Sequence, residues 1–192
     1  MNPSHTTSPS QRSGRRTLLL IAAICLLPLL AAVVLRLVWT PPKPDSLGEL
    51  LPPQALAYDR LVGADGRPWP HEQVADRWLI VYASPGQCDA ACQETLYLTR
   101  QSRTAQGKAS LRLGRLWVLT DDTQPDPALL AAHPDLQWAK LVQPGDLPEL
   151  GGVKQAPRHL FLVDRRGQIV MRYSDHPEPM AFIKELGRLI KF

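Results

Sequence analysis

Trp78-Leu79-Ile80-Val81-Tyr82-Ala83-Ser84-Pro85-Gly86-Gln87-Cys88-Asp89-Ala90-Ala91-Cys92 decides the reading of this chain. Arg77 to Ala83 is a near-continuous apolar run carrying Trp, Ile, Val and Tyr, the composition of a buried strand. Pro85-Gly86 ends the run. Cys88 to about Thr104 holds neither Gly nor Pro and has apolar residues at Leu96 and Leu98, which predicts a helix. A strand turning directly into a helix sets both thiols at the helix start, where the partial positive charge favours thiolate over thiol.

Residues four apart on a helix lie about 40° apart around its axis, so both sulfurs can share one face. Their Cα atoms would be about 6 Å apart, inside the range that a disulfide tolerates. Cys88 at the exposed end is then the natural attacking thiolate, and Cys92, one turn deeper, the resolving thiol. The same pair suits soft Cu(I). A purely structural bridge is the third reading. Closing five residues constrains the unfolded chain by about 2 kcal/mol, against about 3 for a 15-residue loop, so a staple gains more from distant partners.

Working outward, Leu111 to Leu119 predicts a second core strand, followed by the Asp-rich stretch Asp121-Asp122. Asp126-Pro127 opens a short helix, with Asp126 as cap and Pro127 at its first position. Leu136 to Val142 is a short strand. His159 to Asp164, the turn Arg165-Arg166-Gly167 and Gln168 to Tyr173 form a strand pair. Pro177 to Phe192 is a closing helix with Met180, Phe182, Ile183, Leu186 and Ile190 at near-helical spacing. Before the central strand, residues 46 to 75 are rich in proline, and Gly63 to Pro68 reads as a hairpin turn between short strands. The order of elements is that of a mixed α/β sheet protein.

The N-terminal region is of another kind. Thr17 to Leu35 is uncharged over 19 residues. It spans about 28 Å as a helix, close to the hydrocarbon thickness of a bilayer. The expected organisation is a disordered Ser/Thr/Pro-rich arm over 1–16, a transmembrane helix over 17–39, a Pro-rich linker over 40–45 and a domain over 46–192. Arg12, Arg15 and Arg16 precede the span, which puts the N-terminus in the cytoplasm and the domain in the periplasm, with the helix in the inner (cytoplasmic) membrane. The run is longer than a cleaved signal peptide's core and lacks an A-x-A-like site. Ile24 before Cys25, where lipidation would need a small residue, leaves Cys25 a small apolar side chain of the span.

The chain carries a formal charge of +4. Five of its 22 bases lie in the first 44 residues, which hold no acid, leaving 17 bases against 18 acids beyond them. The domain is therefore near neutral, and no basic face supports nucleic-acid binding. With the domain in an oxidising compartment, Cys88 and Cys92 stand where disulfides persist.

These elements and their order resemble a thioredoxin-superfamily domain, and within it the Sco family of membrane-anchored cytochrome oxidase assembly proteins. Three stretches carry the resemblance: Trp78 to Leu96 with Cys88-x-x-x-Cys92; Leu119 to Pro127, similar to the family's Asp/Pro-rich loop; and Gly152 to Val170. The resemblance implies a thioredoxin-like mixed sheet flanked by helices, behind one transmembrane helix. It also implies a thiol–disulfide oxidoreductase acting on a protein substrate at the membrane, with the copper-site cysteines of a cytochrome oxidase subunit as that substrate. Two alternatives follow from the same likeness: a Cu(I) carrier using Cys88 and Cys92, and an assembly scaffold whose cysteines do no chemistry. Copper is the one cofactor implied. The chain departs from the family at Asp89 and Gln93, where prolines flank the family motif, and at Ala156, which stands in place of the copper-binding histidine. Pro157 falls where thioredoxins place a cis-proline that faces the cysteines, binds substrate backbone and keeps metal off the sulfurs. His159, two residues on along an extended strand, is expected on the same side of the sheet and is the candidate third metal ligand.

Overall fold

The computed structural model describes residues 11–38, 46–143, 150 and 158–191. The expected linker over 40–45, Ala156 and Pro157 lie outside the described residues. The chain divides into two units, Met1–Pro44 and Asp45–Phe192.

The first unit holds α1, Gln11–Val38, which continues through Pro28. Its segment Arg16–Leu37 is long and apolar enough to cross a membrane. Leu18, Ile21, Leu26, Leu30 and Val34 are all exposed, so no side of the helix is kept polar or packed. That is the surface of a single-pass anchor.

The second unit is built on a seven-stranded sheet of order β1-β7-β6-β3-β4-β5-β2. Its strands are β1 (Glu49–Ala55), β2 (Leu61–Val62), β3 (Trp78–Ser84), β4 (Leu113–Leu119), β5 (Leu136–Leu141), β6 (His159–Val163) and β7 (Gln168–Ser174). Three neighbours, β3, β4 and β5, run parallel, and β6 and β7 return antiparallel on the other side of β3. Parallel neighbours need crossovers. These are α2 (Ala90–Thr104) and α3 (Pro127–Ala132), and α4 (Pro179–Leu189) closes the chain.

Alternation along β3 sorts the core into two faces. Leu79 and Val81 join Leu116, Val118, Phe161 and Val163 on one. Ile80 and Tyr82 join Trp117, Leu160 and Leu162 on the other, beneath Cys92 and Leu96 of α2 and Phe182 and Leu186 of α4. A strand apolar at every position is what two covered faces require.

Several boundaries differ from expectation for local reasons. The helix after the cysteine turn begins at Ala90, because the Asp89 side chain caps it by accepting the Cys92 N–H. Cys88 therefore precedes the helix. Residues Gly107–Arg112 form a 3-10 segment, opened by Gly107 at φ +56°, so β4 starts at Leu113. Glu178 caps α4, which starts at Pro179. The proline-rich region holds a strand that local pattern does not predict: β1 pairs with β7 through Glu49↔Arg172 and Ala55↔Gln168. Pro52 and Pro53 fall in the irregular stretch between Leu50 and Gln54 of this edge strand, where missing N–H groups cost no ladder bond. Asp126 and Pro127 play their expected parts, Asp126 accepting from the Ala128 N–H at 2.8 Å.

Candidate thiol site at the head of the second helix

Cys88 and Cys92 form a disulfide with Cα atoms 5.2 Å apart. Two devices hold the turn between β3 and α2 that carries it. The Gly86 N–H donates to Asp121 Oδ1 at 2.8 Å, and Asp121 also accepts from the Thr123 hydroxyl at 3.0 Å. A Cβ at buried Gly86 would overlap the Thr123 carbonyl, so only glycine lets the two loops lie this close. The Asp-rich turn after β4 thus serves to fix the cysteine turn.

The two sulfurs are unequal. Cys92 is 1 % exposed and packs in the core beneath α2, whereas Cys88 is half-buried. Cys88 lines an open cleft of about 660 Å³ with Gln87, Gln93, Thr123, Gln124 and Leu129. A molecule entering the cleft meets Cys88 and not Cys92.

Asp89, between them in sequence, is paired. Arg158 grips it with two bonds, Nη1 to Oδ1 at 2.6 Å and Nη2 to Oδ2 at 2.7 Å. This fork and the Cys92 N–H lower the Asp89 carboxyl from 3.8 to about 2. The pair is neutral as a unit, which reduces the opposition that a lone Asp89 charge would offer to a neighbouring thiolate. Because the folded carboxyl titrates below its unfolded value, the pair stabilises the fold above about pH 4, and that contribution is lost as pH falls toward 2. Asp89→Asn keeps a capping side chain but loses the charge. Unfolding temperatures measured from pH 6 to pH 2 should show a steeper acid loss in the wild type than in this variant; parallel curves would deny the pair any role.

The structure places His159 apart from the two sulfurs. His159 pairs with Ala83, and its ring meets Phe161 edge-on at 6.1 Å between centroids. Its Nδ1 lies 3.1 Å from the Tyr173 carbonyl oxygen. These contacts belong to the sheet face away from α2, while Cys92 packs with Ser84 on the near face. Alternation sends His159 one way and its neighbour Arg158 the other, to the cysteine turn. Sequence pattern alone does not single out Arg158, although a period-two count shifted by one residue finds it. His176 is engaged with Glu94 at 3.1 Å. Among the described residues no group of three or more His, Cys, Asp and Glu side chains could hold a metal ion. Among the described residues the two sulfurs suit copper in kind but are too few for the copper site that the family resemblance implies.

Residues 78–192 match the profile of the family described as "Transmembrane-like, thioredoxin-like, C-terminal domain". The chain belongs to that family. No curated protein matches it. Solved structures similar to this transmembrane-like, thioredoxin-like protein include apo Sco1 from Thermus thermophilus, at 19 % identity and TM-score 0.55, covering 77 % of this chain and 96 % of that one. Yeast Sco1 with copper bound gives 18 % identity and TM-score 0.54, covering 78 % and 95 %. A putative thiol:disulfide interchange protein DsbE from Chlorobium tepidum gives 19 % and 0.50, covering 75 % and 96 %. At these identities the likeness establishes the thioredoxin-like fold alone.

Proposed function

We propose that this chain is a single-pass membrane protein whose thioredoxin-like domain exchanges disulfides with the thiols of a partner protein. One observation carries the reading: a disulfide with one sulfur in an open cleft and the other buried behind it. That asymmetry gives an incoming thiolate a single point of attack and keeps the second sulfur as an internal resolver. Arg12, Arg15 and Arg16, in the first turns of α1 ahead of its apolar span, orient the anchor with its N-terminus in the cytoplasm and the domain in the periplasm. Anchoring confines the search to membrane partners and raises their effective concentration. The Sco resemblance favours the copper-site cysteines of a cytochrome oxidase subunit as the partner thiols. Cys88 is the attacking group and Cys92 the resolving one, and the resemblance gives Pro157 the role of binding the substrate backbone.

The test uses the reduced full-length chain in detergent micelles with glutathione disulfide. The expected result is a Cys88–Cys92 disulfide with release of two glutathione thiols per chain. No exchange, together with uptake of Cu(I) under anaerobic conditions, would overturn the reading in favour of a copper carrier.

A further inference from the structure

Ser84, the last residue of β3, is 1 % exposed and lies against the buried sulfur, its Oγ 3.7 Å from Cys92 Sγ. Trp117, 0 % exposed on β4, donates its indole N–H to the same Oγ at 2.8 Å. A serine hydroxyl has one hydrogen and two lone pairs. The indole has no other chemistry than donation, so it occupies a lone pair and leaves the hydroxyl hydrogen for an acceptor. Three acceptors are in reach: Cys92 Sγ, the Tyr82 hydroxyl, and the Pro85 carbonyl at a longer-than-usual 3.4 Å for O–H···O. Serine here is unexpected on packing grounds, since the surrounding face is built from Tyr82, Leu96, Trp117 and Leu160.

We propose that Ser84, oriented by Trp117, is a positioning residue that donates its hydroxyl hydrogen to Cys92 Sγ as the disulfide opens. This rests on the exchange reading above. In the step, a thiolate of the partner attacks Cys88 Sγ and forms a new S–S bond. The Cys88–Cys92 bond breaks, and its electron pair stays on Cys92 Sγ. A second partner thiolate then attacks the partner's own sulfur in the mixed disulfide, so the partner dithiol is oxidised and the Cys88–Cys92 pair reduced. The charge that appears on Cys92 does so where water is excluded, and the nearest charged groups at the helix start, Asp89 and Arg158, are satisfied by each other. A disulfide sulfur is a weak acceptor and a thiolate a strong one. The hydroxyl therefore gains most as charge develops, which is the condition for lowering a barrier rather than merely stabilising the ground state.

The experiment measures reduction of the full-length chain by dithiothreitol in detergent. Ser84→Ala should slow it about tenfold, the loss expected of one hydrogen bond to a charged group. Ser84→Thr, which keeps the hydroxyl, should restore most of the rate, and Trp117→Phe, which frees the hydroxyl to turn away, should fall between. A second readout is one that packing alone would not move. In a Cys88→Ala background, the pH midpoint of Cys92 ionisation, followed by the ultraviolet absorbance of the thiolate, should rise by about one pH unit when Ser84→Ala is added. Equal rates for wild type, Ser84→Ala and Trp117→Phe, or equal ionisation midpoints, would overturn the proposal. Should Ser84→Ala fail to fold, Trp117→Phe decides by its rate alone. Failure of the wild type to exchange with glutathione disulfide would sink the exchange reading instead, and the ionisation midpoints would still report on Ser84.

Discussion

Replacing Cys92 with alanine should trap the partner as a mixed disulfide on Cys88, while replacing Cys88 with serine should leave no covalent adduct. The asymmetry follows from exposure. Cys88 lines the cleft, and Cys92 is 1 % exposed behind it, so an external thiol or disulfide reaches only the first sulfur. Once a mixed disulfide has formed on Cys88, Cys92 resolves it from within one turn of helix. The fixed 5.2 Å Cα separation acts as a very high local thiol concentration. Without Cys92 the adduct waits for an external thiol, and its lifetime should rise by roughly three orders of magnitude. Non-reducing electrophoresis and peptide mapping after incubation with a dithiol protein would read the outcome. Cys25, in the apolar helix, is common to both variants and drops out of the comparison. Adducts on Cys92 in the Cys88→Ser chain, formed as fast as those on Cys88 in the other, would mean that the buried sulfur is reachable.

What could be read from sequence, and what could not, divides by the range of the interactions involved. The strand into the cysteine turn, the Asp126 cap and the apolar stripe of α4 are local patterns, and they appear in the structure to within a few residues. Edge strand β1 is not local. Its prolines argue against a strand until β7, more than a hundred residues away, supplies a partner whose register leaves them at an irregularity. The same holds at the site. Asp89 reads as a charge opposing a thiolate beside it, but Arg158, 69 residues on, turns it into half of a neutral fork. His159 lands on the far face through parity alone. An extended segment fixes which residues alternate, but only the pairing of His159 with Ala83 fixes which set faces the sulfurs. Pattern gives the period, and a long-range contact gives the phase.

Arg115 is the residue whose loss should cost the fold most. It sits in the middle of β4, 1 % exposed, in a run that otherwise reads as core. Its Nη2 donates to the Leu96 carbonyl at 2.7 Å and to Thr99 Oγ1 at 2.9 Å, and its Nη1 to Asp135 Oδ1 at 3.0 Å. Arg103 adds a second cation to Asp135 at 3.5 Å. Burial is the main influence on the guanidinium, bringing it down to about 10, with Asp135 opposing that fall. It therefore remains charged at neutral pH. The fork ties α2 to β4 one turn beyond Cys92 and ties both to the entry of β5. Arg115→Ala would take one donor each from the Leu96 carbonyl and the Thr99 hydroxyl, which stay bonded to each other, leave Asp135 to Arg103 alone, and open a cavity the size of the side chain. The lost donors and the cavity together cost about 2–4 kcal/mol, which for a domain of this size lowers the unfolding temperature by roughly 10 °C. Arg115→Lys should recover only part of that, because an ammonium cannot reproduce the planar fork that serves three acceptors at once. Arg115→Met fills the volume but satisfies none of them, and it should fall nearer to alanine than to lysine if hydrogen bonding dominates. Urea unfolding of the full-length chain and its three variants would order them. A loss below 1 kcal/mol for alanine would mean that water or a neighbouring side chain reaches these acceptors, and that α2 is held over the sheet by its apolar contacts alone.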